Sequence, residues 1–433
     1  MNSLKRLAFN IWHIAGVWPR TYLGLVLGIE VLATGVVARK GTLSHSYAPV
    51  RLGIRELFES GHIHSAFLPV AYPALLAVGA KVGSHFGHRG SDIGMIAIQV
   101  VLLLAIVLLT RMIIQRMTGS ARFATTTALV VGLYPPFLVK VSHINDTNLA
   151  LFGMLLILLS VLELRSRLSL LSAIGAGAAL ACAMTIRPNL APFLLLLVWA
   201  VWGASLRVAL PLLLSAVGTL AIVYCSITGI IHGRPFFPQN GPYNFYAGFN
   251  SHTEHYLRTQ LNAENSIVPA MAEDGISARL DWGAQSDRPG VSDVRDLAFR
   301  GYYTAKTREF IEQHPGQALR LTFLKLVVFL SPTPDFDVPK NQSHLVTIVT
   351  DVAKNVTLAL IPIWLVLLGY SWRKRLRLGS VLMVAMVGLY LLAFVTTNSD
   401  PRFRIAIEGI VLIDIARMLY GIYRERRSMG ELQ

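Results

Sequence analysis

The apolar positions of this chain are gathered into unbroken runs rather than spaced along one face of a helix. The first extends from Tyr22 to Ala38, and nine others follow at roughly 92–110, 123–140, 147–162, 169–186, 189–203, 208–230, 346–369, 379–395 and 405–421. Each is close to the ~20 residues that a helix needs to cross a hydrocarbon core. The pattern predicts an all-α polytopic membrane protein, a bundle of about ten transmembrane helices. One further apolar piece, Leu319 to Leu330, is short for a crossing and is bracketed by Pro315-Gly316 and by Ser331-Pro332-Thr333-Pro334. It predicts an interfacial or re-entrant helix that returns to the side it came from.

The polar stretches between the runs divide the chain. Residues 1–230 make an N-terminal transmembrane module of about seven spans, with a first outer loop at 39–91. Residues 231–345 make an extracytoplasmic cap that includes the short helix 319–330, and residues 346–433 make a C-terminal module of about three spans with a basic tail. In the first loop Tyr47, Arg51, Ile54, Arg55, Leu57 and Phe58 fall at amphipathic spacing up to Ser60-Gly61, and Pro69 to Pro73 leads into a second apolar patch, Ala74 to Val78. Two short helices lying in the membrane interface fit this better than further spans do. No fixed-period repeat is evident, so a duplicated transporter half has no support.

Composition agrees, with 54% of the 433 residues apolar and only 15% charged. The net charge of +15 raises nucleic-acid binding as a class, but the Lys and Arg residues fall mostly in short clusters between apolar runs, among them Arg373 to Arg377 and Arg424 to Arg427. Charge that sets topology is distributed in this way. Nucleic acid is therefore set aside as a partner, and both termini are placed in the cytoplasm. The first twenty residues hold Lys5, Arg6 and Arg20 without a small-residue cleavage pattern, so the first run reads as a retained span. Cys182 and Cys225 lie inside apolar runs and read as core residues, not as a disulfide or a thiolate site.

Against this background a few polar groups stand where topology does not ask for them. Asp146, at the start of the fourth run, is either a helix cap or a carboxylate that acts as a base or holds a hydroxyl or an amine. Arg187 lies between two runs on the outer side, Lys325 lies on the short helix, and Arg402 and Arg404 flank Phe403 just after Pro401. Snorkelling to water explains any one of these cations; four converging would form an anion pocket, with forked guanidinium donors suited to phosphate oxygens. In the first loop His45, Glu56, Glu59, His62 and His64 read first as a solvated face. Gly241 to Asn250 alternates aromatic and small polar residues, either as a membrane-surface belt or as a sugar platform in which Asn244 and Asn250 meet hydroxyls beside Tyr246. His252-Thr253-Glu254-His255 has metal-like spacing but lacks a third placed ligand, and no metal is assigned to it.

In order and in membrane side, several of these features resemble the GT-C membrane glycosyltransferases, specifically the bacterial branch similar to protein mannosyltransferases and to aminoarabinose-type lipid A transferases. The likeness rests on Tyr47, the Gly61-ended helix and Tyr72-Pro73, on Asp146, on Arg187-Pro188, and on Asn244 through Asn250. It continues through His314-Pro315-Gly316 leading to Lys325 and through Arg402-Phe403-Arg404. The resemblance implies transfer of a sugar from a polyprenyl-phosphate carrier to a lipid, glycan or protein acceptor at the outer face of a bacterial inner membrane. It implies that Lys325, Arg402 and Arg404, with Arg187, hold the carrier phosphate as it leaves, that Tyr47, Asn244, Tyr246 and Asn250 contact sugar or acceptor, and that an acidic residue deprotonates the acceptor. No cofactor beyond the lipid-linked donor is implied, and a divalent metal is left open.

The sequence departs from the family at Gly41 to Tyr47, which holds no carboxylate where the family has an Asp before the tyrosine. The base is then His45, Glu56 or Asp146, or the acceptor needs little activation, or the protein is a non-catalytic relative. A scaffold that binds the carrier and a transporter of lipid-linked glycans are thus the competing readings. The transporter reading would favour charged or broken helices at the bilayer midplane, whereas the residues singled out here stand at the ends of spans.

Overall fold

The computed structural model describes residues 48–64, 69–87, 90–141, 146–238, 240–260, 263–279, 292–293, 297–331, 344–373, 377–397 and 403–430, together with Gly24, Gly28 and Val31. The first apolar run lies, but for those three positions, outside the described residues. The first loop folds as the two expected helices, α1 (Ala48–Ser60) and α2 (Ala71–Ser84). Helix α1 exposes Arg51, Leu52, Arg55 and Phe58 and turns Val50, Gly53 and Ile54 inward. Helix α2 extends well past the predicted patch and lies along α3 (Gly90–Thr118). The two backbones touch through glycines: a Cβ on Gly83 would run into the carbonyl of Gly90. Only a residue without a side chain allows this approach.

Two predicted spans are broken by proline. The run 123–140 becomes α4 (Ala121–Gly132) and α5 (Pro135–Val141), because Pro135 and Pro136 remove backbone donors and push Tyr134 out of helical geometry. The run 189–203 becomes a 3-10 segment, Pro188–Phe193, holding Pro188 and Pro192, followed by α8 (Leu194–Ala200). Between these lie α6 (Thr147–Arg167) and α7 (Leu170–Ile186), the latter opened by a capping box between Ser169 and Ser172. Helix α9 (Leu206–His232) packs on α7 and exposes Cys225, so that cysteine faces outward rather than into the core.

The segment that follows α9, which we call the cap, holds α10 (Gly241–Gly248), α11 (Thr253–Gln260), α12 (Ile267–Glu273) and α13 (Arg300–Gln313), with one parallel pair of two-residue strands, β1 (Ala278–Arg279) and β2 (Ser292–Asp293). Its own small core centres on Tyr243, Tyr246, Ile267, Met271 and Tyr303. Helix α14 (Pro315–Leu330) follows and is longer than the predicted 319–330, because Pro315 opens the helix instead of ending the chain before it. The chain closes with α15 (His344–Arg373), α16 (Arg377–Val395) and α17 (Arg404–Gly430). Helix α17 packs against α3, α4, α6, α15 and α16 and buries Arg404, Glu408 and Asp414. Its charges therefore face protein, where Trp364 Nε1 donates to Asp414 at 2.8 Å and Arg417 Nε donates to the same carboxylate at 2.9 Å.

The architecture is the helical membrane bundle that the pattern predicts. Among the described residues four helical stretches are both long and apolar enough to cross a membrane, namely Gly90–Thr118, Thr147–Arg167, Leu206–His232 and Asn355–Arg373. Leu170–Ile186, Pro188–Ala200 and Gly379–Val395 are apolar but shorter. One hydrophobic core runs from α1 to α17.

Candidate functional site

Asp146 directly precedes α6, yet its side chain makes no capping bond. Instead Arg187, at the end of the neighbouring α7, grips it, with Nε donating to Oδ2 at 2.7 Å and Nη2 to Oδ1 at 2.5 Å. The third edge of the guanidinium donates from Nη1 to the Tyr390 hydroxyl at 2.7 Å, and its plane lies 4.7 Å from the Phe403 ring centre. Arg187 can reach forward because Pro188 forces it into extended backbone at the end of α7. The pair is lopsided: the Arg187 side chain is 5% exposed and that of Asp146 is 30% exposed. The carboxylate faces outward, and the cation stands behind it.

Lys325 lies on the inner face of α14 and is fully buried. Its Nζ donates to the Thr397 carbonyl at 3.0 Å and sits 3.5 Å from the centre of the Phe249 ring. Burial pushes its proton affinity down, to a pKa of about 7. Gly248 makes the junction tight, since a Cβ there would meet the Thr397 carbonyl and lie 2.9 Å from Lys325 Nζ. Cap, α14 and the end of α16 therefore meet at one point.

Arg404 is also inside. Its Nε donates to Glu408 Oε1 at 2.8 Å, and its Nη1 donates to the carbonyls of Leu330, at 2.8 Å, and Ser331 at the end of α14. The other Glu408 oxygen accepts the Tyr134 hydroxyl at 2.8 Å. Arg187 thus meets Tyr390 and Phe403, and Lys325 meets Thr397, whereas Arg404 turns to Glu408 and the end of α14; Arg187 and Arg404 each hold a carboxylate of this chain.

The remaining predicted residues are spread more widely. Glu56, on α1, accepts the His64 amide at 2.8 Å. Asn250 is buried in the cap, donating Nδ2 to Tyr246 O at 2.8 Å and to Ser266 Oγ at 2.7 Å, while the Tyr246 hydroxyl lies 3.1 Å from that of Tyr302. These contacts hold the cap together. Asn244 is half-buried on α10. His252 Nε2 lies 2.8 Å from Glu273, and Glu254 pairs with Arg258 and Arg320, so the metal-like spacing splits between different partners. No group of three His, Cys, Asp or Glu side chains able to hold a metal occurs among the described residues. His45, Tyr47 and Arg402 lie outside the described residues. The sequence analysis does not single out Tyr390, Tyr134 or Glu408, each inside an apolar run; for Glu408 the available signal is a carboxylate one helical turn beyond Arg404.

The helical fold that carries these residues has a counterpart among solved oligosaccharyltransferase structures. No family model and no curated protein matches the chain. Among solved structures it is similar to the Archaeoglobus fulgidus oligosaccharyltransferase tethered with an acceptor peptide containing the NVT sequon, at 13% identity and a TM-score of 0.51 over 96% of this chain and 51% of that one. The Archaeoglobus fulgidus oligosaccharyltransferase AglB in complex with an inhibitory peptide and a dolichol-phosphate aligns at 14% identity and a TM-score of 0.49, covering 96% of this chain and 52% of that one. Arabinosyltransferase EmbB from Mycobacterium smegmatis aligns at 14% identity and a TM-score of 0.34, covering 92% and 41%. The chain spans about half the length of the solved structures it matches.

Proposed function

We propose that this protein is a membrane glycosyltransferase that moves a sugar from a polyprenyl-phosphate-linked donor to a lipid, glycan or protein acceptor at the outer face of a bacterial inner membrane. What supports the reading is that Arg187, which holds Asp146, contacts Tyr390 and Phe403 while Lys325 contacts Thr397, in a chain whose fold is similar to that of an oligosaccharyltransferase. In the reaction an acceptor oxygen or nitrogen attacks the anomeric carbon, and the bond to the carrier phosphate breaks with its electron pair leaving on the phosphate. Asp146 takes the proton or aligns the group that carries it, and Arg187 holds that carboxylate still. Lys325, with Arg402, meets the charge that grows on the phosphate.

Arg187 and Arg404 act in this reading by shaping the site, since both guanidiniums already hold internal carboxylates. That same observation favours one alternative, a non-catalytic GT-C scaffold that binds the carrier. Purified protein in lipid nanodiscs, given polyprenyl-phosphate-linked sugars, separates the two. Release of free polyprenyl phosphate that is lost in Asp146→Asn and in Lys325→Met supports transfer. Saturable carrier binding without release, in the native protein, overturns it in favour of the scaffold.

A further inference from the structure

The elements that bear Lys325 and Asp146 are tied together by one carboxylate inside the bundle. Glu408 is completely buried, and both of its oxygens are engaged, one by Arg404 Nε and the other by the Tyr134 hydroxyl, each at 2.8 Å. The Tyr134 hydroxyl also lies 3.2 Å from Thr357 Oγ1 on α15. On one side the network runs through Arg404 to the carbonyls of Leu330 and Ser331, which end the helix that carries Lys325. On the other side it runs through Tyr134 to the corner between α4 and α5, and α5 leads toward Asp146. Asn148 Nδ2 donates to Phe137 O at 3.2 Å, which pins α5 to the start of α6.

We infer that Glu408 is a positioning residue: through Arg404 and Tyr134 it sets the separation between the end of α14 and the α5 corner, and with it the spacing between Lys325 and Asp146. The physical ground is that a buried ion pair is a weak source of stability compared with apolar packing of the same volume, whereas it fixes geometry sharply because each lone pair must be satisfied in place. A network of this kind, joining the α4–α5 corner to α14, α15 and α17, is suited to register more than to strength. The role in spacing catalytic groups rests on the glycosyl-transfer reading above; the mechanical coupling does not.

The test uses the full chain in nanodiscs, with spin labels at the exposed positions Leu319→Cys on α14 and Val130→Cys on α4, and with Cys182 and Cys225 changed to alanine. The informative variant is Arg404→Met combined with Glu408→Leu, which replaces the pair by apolar groups and leaves no stranded charge. The expected result is a thermal midpoint close to that of the parent, a distance distribution that broadens or shifts by about 2 Å, and a kcat for sugar transfer reduced about a hundredfold with little change in KM for the donor. Tyr134→Phe, which leaves the ion pair intact, is expected to shift the same distance in part, and it decides the matter if the double variant does not insert. Unchanged distances in both variants overturn the inference and leave the network as packing alone. A native protein that transfers no sugar, together with variant-dependent distances, overturns the glycosyl-transfer reading while leaving the coupling in place.

Discussion

Removing the two partners of the Asp146–Arg187 pair singly should have unequal costs, and the inequality follows from their exposure. Asp146→Ala strands a guanidinium whose side chain is 5% exposed, whereas Arg187→Met strands a carboxylate that is 30% exposed and can turn to water. Breaking a fully buried pair costs ~3–5 kcal/mol, most of it from the charge left without a partner. Arg187 keeps the Tyr390 hydroxyl and the Phe403 ring after Asp146 is lost, which brings the expected cost of Asp146→Ala to about 3 kcal/mol. Arg187→Met retains most of the packing against Phe403 and should cost about 1 kcal/mol. Changing both, Asp146→Leu with Arg187→Met, should come within about 1 kcal/mol of the parent. The assay is reversible unfolding in mixed micelles with increasing SDS, followed by tryptophan fluorescence. Equal costs for the two single variants, or a larger cost for Arg187→Met, would falsify the claim that the cation is the buried member.

At Gly248 a methyl group would press on the Thr397 carbonyl, so Gly248→Ala should destabilise by ~1–3 kcal/mol, while Gly241→Ala, which meets nothing within 4 Å, serves as the neutral control in the same unfolding assay. For Lys325 the folded pKa lies below the ordinary lysine value, so between about 7 and that value the unfolded chain holds a proton that the folded one does not; stability should rise with pH across this window, and Lys325→Met should flatten the rise in pH-dependent thermal unfolding. In the cap, hydrogen bonds first from Tyr302 and then from Lys306 hold the Asp274 carboxyl below the usual carboxylate range. Its contribution is therefore present above the ordinary Asp value and lost as pH falls through the lower folded one, and Tyr302→Phe should make amide exchange in Arg300–Gln313 faster at neutral pH and less sensitive to acid. Acid sensitivity undiminished in that variant would remove Asp274 as the cause.

Much of the bundle was legible because apolar runs of membrane length have few alternatives, and α3, α6 and α9 lie where their runs predict. The misreadings share one cause, which is that hydropathy does not register backbone chemistry. Tyr134-Pro135-Pro136 and Pro188 to Pro192 are as apolar as their surroundings, yet each removes donors that a continuous helix requires. Asp146, Arg187, Lys325 and Arg404 were legible as charges beside or within apolar sequence. Their partners were not: Arg187 and Asp146 are 41 residues apart in the chain, and Tyr390 lies in a run that reads as lipid-facing span. Pairing at such separations depends on which helices become neighbours, and one sequence carries little information on that.

The pairing changes what an anionic carrier would meet. Asp146 with Arg187 is close to neutral as a unit, and so is Glu408 with Arg404. Lys325 holds its proton weakly because it is buried. Four converging cations would have formed a standing positive field, but the described part of the site instead holds its charge in balanced pairs. Attraction of a phosphate must then draw on Lys325 and on the stretch that includes Arg402. A phosphate arriving beside Lys325 favours the protonated amine and so raises its pKa. The ammonium would be charged most fully when the carrier is bound, and the lowered proton affinity would limit the charge that the buried site carries while it is empty. On the proposed reading such a clamp would answer to its ligand, with Asp146 and the buried Glu408 holding Arg187 and Arg404 in place beside it.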